Sequence, residues 1–167
     1  EDPTINRLET MLAERVGTEA ALFVASGTMG NAVCVLTHCA RGEEVILGQS
    51  SHIFLNEAGG MSALGAIFPH TIPDQPDGTL RLEDIAAAIR PENIHFPRTR
   101  LLCLENTHNR CYGAPLTAAY TAAAVASVAH HRRAVVLDTN VRRVLARTLG
   151  GLALPAAHTT GGESRSA

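Results

Sequence analysis

Ala20 to Cys39, AALFVASGTMGNAVCVLTHC, divide into an apolar run, a Gly/Ser/Thr turn and a helical pattern. The run Ala20-Ala21-Leu22-Phe23-Val24 is short, dense and partly β-branched, which predicts a strand buried on both faces. It breaks at Ser26-Gly27-Thr28-Met29-Gly30, where glycine permits a tight turn and close approach of the backbone to a ligand. Apolar residues then recur through Val33, Leu36 and the neighbourhood of Cys39, so a helix is expected to start in the turn. A strand, such a turn and a helix N-terminus form an anion site, because unpaired N–H groups and the positive end of the helix dipole face one point. The turn fits neither the G-x-G-x-x-G dinucleotide pattern nor the P-loop. Two readings stay open from the turn alone: a phosphate cradle, or an ordinary helix cap with Ser or Thr as N-cap.

Working outward, Asp2-Pro3-Thr4 is a helix start, and Ile5, Leu8, Leu12 and Val16 share one face before Gly17. A chain opening directly on a helix leads us to expect further sequence upstream. After the central stretch, Val45-Ile46-Leu47 predicts a buried strand. A helix is expected from Ile53 to Leu64, interrupted by Gly59-Gly60, and a strand-like stretch begins at Ala66. Pro73 to Gly78 reads as a turn and Leu82 to Ile89 as a small helix. Leu101 to Leu104 and Ala134 to Leu137 read as strands, and Thr117 to His131 as an Ala-rich helix. Strand and helix alternate, which argues an α/β fold with a largely parallel central sheet. Ligands gather at the carboxyl ends of such strands. Four polar clusters fall at expected strand ends: Ser26-Gly27-Thr28, Ser50-Ser51-His52, Glu105 to Asn109, and Asp138. Beyond Asp138, Val141 to Leu149 carries a helical pattern crowded by Arg142, Arg143 and Arg147. Residues 150–167 are small, polar and Gly-rich, and their composition predicts a disordered tail.

The chain has 167 residues, 46% of them hydrophobic, enough for one domain with a sizeable core. A net charge of −2 gives no basis for a nucleic-acid partner. The sequence holds no membrane-length apolar run. Cys34 and Cys103 lie within apolar runs, where reduced thiols are expected, and the four cysteines show no zinc spacing. These features point to a reducing, cytoplasmic setting. All 14 basic residues counted as Lys or Arg are arginines; there is no lysine.

The strings EDPTINRLE, ALFVASGTMGN, SSHIFLNEAGG, DGTLRLEDIAAAIRP, IHFPRTRLLCLENTHN and VVLD, in this order, resemble the low-specificity L-threonine aldolases from about Glu1 to Asp138. The resemblance implies the aspartate-aminotransferase type of fold: an α/β three-layer sandwich with a mostly parallel sheet. Residues 1–149 would be part of a pyridoxal-phosphate (PLP) transferase large domain. It implies cleavage of L-threonine and L-allo-threonine to glycine and acetaldehyde, with pyridoxal 5'-phosphate as cofactor, an amino acid as substrate and a homo-oligomer as assembly. By the same resemblance, Gly27 and Thr28, with Ser26 adjacent, bind the cofactor phosphate, and His52 stacks on the pyridine ring. His108 sits near the substrate hydroxyl and the cofactor's phenolic oxygen, and Asp138 pairs with the ring nitrogen. A carboxylate beside a ring nitrogen favours its protonated form, and imidazole suits both stacking and proton transfer. For each residue a bland role stands beside this one, as a turn or capping residue. Glu57 reads as a solvated helix residue and His130-His131 as part of a cationic helix end.

The chain departs from the family in three ways. The family's His-x-Asp-Gly-Ala-Arg pattern is replaced by Val136-Leu137-Asp138-Thr139-Asn140-Val141, with Arg142 one place late. The family's later large-domain sequence and C-terminal domain have no counterpart. The family's catalytic lysine has none either, and arginine, permanently protonated, cannot replace an amine nucleophile. The expectation is therefore a truncated family member, inactive alone. The alternatives are activity in a longer isoform or with a partner chain, a non-catalytic remnant or interaction protein, or another PLP lyase.

Overall fold

A computed structural model of the chain describes residues 2–129 and 135–138. Its four strands are Glu44–Gly48 (β1), Phe68–Ile72 (β2), Thr99–Leu104 (β3) and Val135–Asp138 (β4). They form one sheet in the order β2-β1-β3-β4, every neighbouring pair parallel. Val45 lies opposite Leu101, Leu47 opposite Cys103, and Leu104 opposite Asp138. The helices are Pro3–Val16 (α1), Gly27–His38 (α2), His52–Leu55 (α3), Gly60–Gly65 (α4), Leu82–Ala88 (α5) and Ala118–Ala129 (α6).

Side chains alternate across a strand, so each central strand feeds two cores. Val45, Leu47, Leu101 and Cys103 pack with Val35 of α2, Ile53 of α3 and Met61 of α4 on one face. Ile46, Leu102 and Leu104 pack with Ile85 and Ala88 of α5 and with Ala124 and Val128 of α6 on the other. Helices on both faces of a parallel sheet make three layers, the expected α/β architecture. Each fully buried aliphatic side chain contributes about 1.5–3 kcal/mol. Cys103 lies in this core with a free thiol, and burial pushes its pKa up to about 12.

α1 begins as expected, with Asp2 Oδ1 accepting from Thr4 N at 2.8 Å. The Ala20–Val24 run, however, is not a strand. Leu22 is 66% and Phe23 49% exposed, and Phe23 N donates to Glu9 Oε1 of α1 rather than to a neighbouring strand. Apolar density records a tendency to be covered, not a pairing partner, and here no sheet edge takes the segment up. One polar cluster therefore follows a loop, not a strand. The expected helix at Ile53–Leu64 is two short helices, separated by Asn56–Gly59. Ala66 adopts φ +50 at the end of α4, so β2 starts at Phe68. The expectations for Val141–Leu149 and for residues 150–167 lie outside the described residues.

The strand order sets the place of the site. From β1 the chain crosses through α3 and α4 to β2 on one side. From β3 it crosses through α6 to β4 on the other. The connections part between the carboxyl ends of β1 and β3, where an open parallel sheet leaves a crevice.

Candidate functional site

Ser26 caps α2: its extended backbone (φ −150, ψ 160) turns its side chain back, and Oγ accepts from Met29 N at 3.0 Å. Gly30 N donates to Ser26 O. The N–H groups of Gly27 and Thr28 keep no acceptor among the described residues. Ser26 is therefore a helix cap, and the capped end leaves these two donors beside an exposed Thr28. Thr28 and Asn31, one turn apart on α2, line a cleft of about 280 Å3 with Ile53, Glu57 and Met61.

His52 follows β1 by four residues and opens α3. Its side chain is 44% exposed, and its Nδ1 lies 3.0 Å from Glu57 Oε1. A carboxylate only accepts, so this contact places a proton on Nδ1 and leaves Nε2 as the acceptor of a neutral ring. Asn31 Nδ2 donates to the same Glu57 oxygen at 2.6 Å. The N-terminal half of α2, through Asn31, and the His52 ring are thus tied to one buried carboxylate.

The second link crosses the crevice. Glu105, directly after β3, is buried; its Oε2 accepts from His52 N at 2.6 Å and its Oε1 from Asn109 N at 2.7 Å. His108, 1% exposed, places Nε2 at 3.1 Å from Asp74 Oδ1 and 3.9 Å from Glu105 Oε2. Asp74 Oδ2 accepts from Ser50 N at 2.7 Å. Asp138 ends β4 at the same carboxyl edge, its backbone paired with Leu104, the residue before Glu105. One rim results: α2, opened by Ser26, Gly27 and Thr28, is linked to His52 through Asn31 and Glu57, and His52 to His108 through Glu105, with Asp138 on the strand beside them. Among the described residues no cluster of His, Cys, Asp and Glu could hold a metal ion.

Three carboxylates of this rim lay outside the expected site. Five residues apart on a continuous helix, His52 and Glu57 would point to different sides. They meet because α3 ends at Leu55 and the chain folds back. Asp74 sits in the loop read as a turn, where Asp is an ordinary residue. Glu105 belonged to a recognised polar cluster, and its position straight after an apolar strand was the signal available.

The family model for beta-eliminating lyases matches residues 1–144. The low specificity L-threonine aldolase of Escherichia coli K12 is 53% identical over 109 residues, 65% of this chain and 33% of that protein. Low-specificity L-threonine aldolase 1 of Arabidopsis thaliana is 51% identical over 123 residues, covering 72% of this chain and 34% of its own length. Among solved structures, a threonine aldolase of Leishmania major superposes with a TM-score of 0.58 at 28% identity, over 66% of this chain and 32% of that one. N-succinyldiaminopimelate aminotransferase of Mycobacterium tuberculosis gives 0.52 at 25% identity, over 68% and 28%. The chain spans about a third of the length of the curated relatives it matches. Strand order, layers and sequence agree: the chain belongs to the beta-eliminating lyase family.

Proposed function

We propose that this chain forms the phosphate-binding and ring-stacking part of a threonine aldolase site that uses pyridoxal 5'-phosphate. The observation that carries it is the His52–Glu105 bridge across the crevice between β1 and β3, with the free N-terminus of α2 tied to the same histidine through Asn31 and Glu57. The residues fit the cofactor's chemistry. Gly27 N, Thr28 N, the Thr28 hydroxyl and the Ser26 hydroxyl proton are donors for a phosphate at a helix N-terminus. His52 offers an exposed ring face held in place by Glu57. His108 Nδ1 is buried and has no partner among the described residues, and this unpaired acceptor is assigned here to a ligand hydroxyl. Asp138 reaches the same edge from β4 and is assigned to the cofactor's ring nitrogen. When bound, pyridoxal 5'-phosphate supplies an electron sink for the pair released as the substrate's carbon–carbon bond breaks. Glycine and an aldehyde are the products in this reading, and L-threonine or L-allo-threonine the substrate.

These 167 residues contain no lysine, so this stretch offers no side-chain amine to bond the cofactor. It binds through phosphate, stacking and hydrogen bonds, and by itself turns over negligibly. A partner chain or a longer product supplies the amine where activity is present. Spectroscopic titration with pyridoxal 5'-phosphate tests the assignment. Thr28→Ala changes an exposed residue and is expected to leave stability intact while weakening binding roughly tenfold, the loss of one charge-assisted hydrogen bond. Equal affinity in the variant and the wild type would remove the cradle from the account.

A further inference from the structure

We propose that Asp74 is the positioning residue for His108, fixing its ring in the Nε2–H form with a bare Nδ1. Among the described residues the Nε2 edge faces carboxylate: Asp74 Oδ1 at 3.1 Å and Glu105 Oε2 at 3.9 Å. A carboxylate accepts and cannot donate, so in the neutral ring the proton sits on Nε2 and the lone pair on Nδ1. Nδ1 is buried without a partner among the described residues, so nothing there competes for the proton.

Asp74 is held as firmly as the ring it orients. Its second oxygen accepts from the backbone N–H of Ser50 at 2.7 Å, and its backbone bridges to Leu80. The carboxylate lies where a side chain at position 48 would project, so only glycine at the end of β1 leaves room for it. On the other flank Gly78, at φ +80, brings its backbone so near that an added Cβ would lie 2.7 Å from His108 Cβ. Two glycines thus open the space for one aspartate–histidine pair. Glu105, already bonded to two backbone N–H groups and farther from the ring, is the lesser partner.

The purpose of the bare Nδ1, to accept from a ligand hydroxyl, rests on the function proposed above; the ring's proton position does not. Nitrogen-15 NMR of the imidazole rings in the whole chain, at a pH where His108 is neutral, reads that position directly. The expected wild-type spectrum has a protonated Nε2 and an unprotonated Nδ1 for His108. In Asp74→Asn the amide has one acceptor for two neighbours. The Ser50 N–H must donate, so the amide oxygen turns to it and the NH2 turns to His108. Nε2 then becomes the acceptor, and the two nitrogen resonances exchange places. A purely structural aspartate would leave the ring's proton where it was. Glu105→Gln is expected to keep the wild-type form. A wild-type His108 protonated on Nδ1, or an Asp74→Asn protein that retains Nε2–H, overturns the proposal. The wild-type spectrum decides even if a variant fails to fold. Adding pyridoxal 5'-phosphate then tests the other reading separately: a shift of Nδ1 supports its contact with the cofactor, while an unmoved Nδ1 counts against that contact alone.

Discussion

Glu105→Ala is expected to lower the stability of the chain by about 3 kcal/mol and to abolish its response to pyridoxal 5'-phosphate. Glu105 is buried directly after β3, and its two oxygens each take a backbone N–H, from His52 at 2.6 Å and Asn109 at 2.7 Å. Hydrogen bonds to a charged acceptor contribute about 1.5–3 kcal/mol each, and relief of the carboxylate's own burial offsets part of the pair's loss. No other described acceptor is bonded to these N–H groups. The segments after β1 and β3 then lose the tie that fixes His52 across the crevice. Glu105→Gln keeps the volume but offers one acceptor for two donors, so about half the loss is expected. Chemical denaturation monitored by circular dichroism measures it. A variant that unfolds at the wild-type denaturant concentration would show that the bridge contributes nothing.

Glu44→Ala is expected to cost about 3 kcal/mol, because the hydrogen bonds to a buried carboxylate are lost while Arg90, 29% exposed, regains only part of its hydration. Glu44 opens β1 at the end of the sheet opposite the site and is 0% exposed. Its Oε2 accepts from Arg90 Nε at 2.6 Å, and its Oε1 accepts from Thr99 Oγ1 at 2.9 Å and lies 3.2 Å from His70 Nδ1. Arg90 also rests over the Phe96 ring, 5.5 Å from its centroid. The carboxylate therefore joins β1, β2, β3 and the loop after α5. Its removal is expected to lower the melting temperature by on the order of 10 °C. The variant should keep its rise in stability with pyridoxal 5'-phosphate, since the crevice lies at the far end of the strands. The two glutamates make opposite predictions for the cofactor and the same one for stability. A Glu44 variant that loses its cofactor response while still folded would contradict the separation of the two ends.

The central strands were legible because burial on both faces leaves a plain signature. Val45-Ile46-Leu47 and Leu101 to Leu104 are unbroken apolar runs, and each proved to feed both cores. Ala20–Val24 carries the same signature and is no strand. A single sequence records how apolar a segment is, not whether a sheet edge is there to accept it. The histidines were legible through the family's motifs, and the helix start at Ser26 through capping chemistry alone. The carboxylates that hold them were not. Glu57 reaches His52 only because the helix breaks, and Asp74 reaches His108 only across the 34 residues that separate them in the chain. Contacts of that kind depend on strand order, and the order β2-β1-β3-β4 is not written in any local pattern.

The reading of this rim as a cofactor pocket requires that the folded chain binds pyridoxal 5'-phosphate. Thermal unfolding of the 167-residue chain, followed by circular dichroism with and without pyridoxal 5'-phosphate, tests it most directly. Only a ligand that binds the folded form raises stability, by about 2.7 kcal/mol at one hundred times its dissociation constant. The expected result is a cooperative transition that moves upward as the cofactor concentration rises, and no such movement in the Glu105→Ala protein. A cooperative transition that stays in place at every cofactor concentration would contradict it.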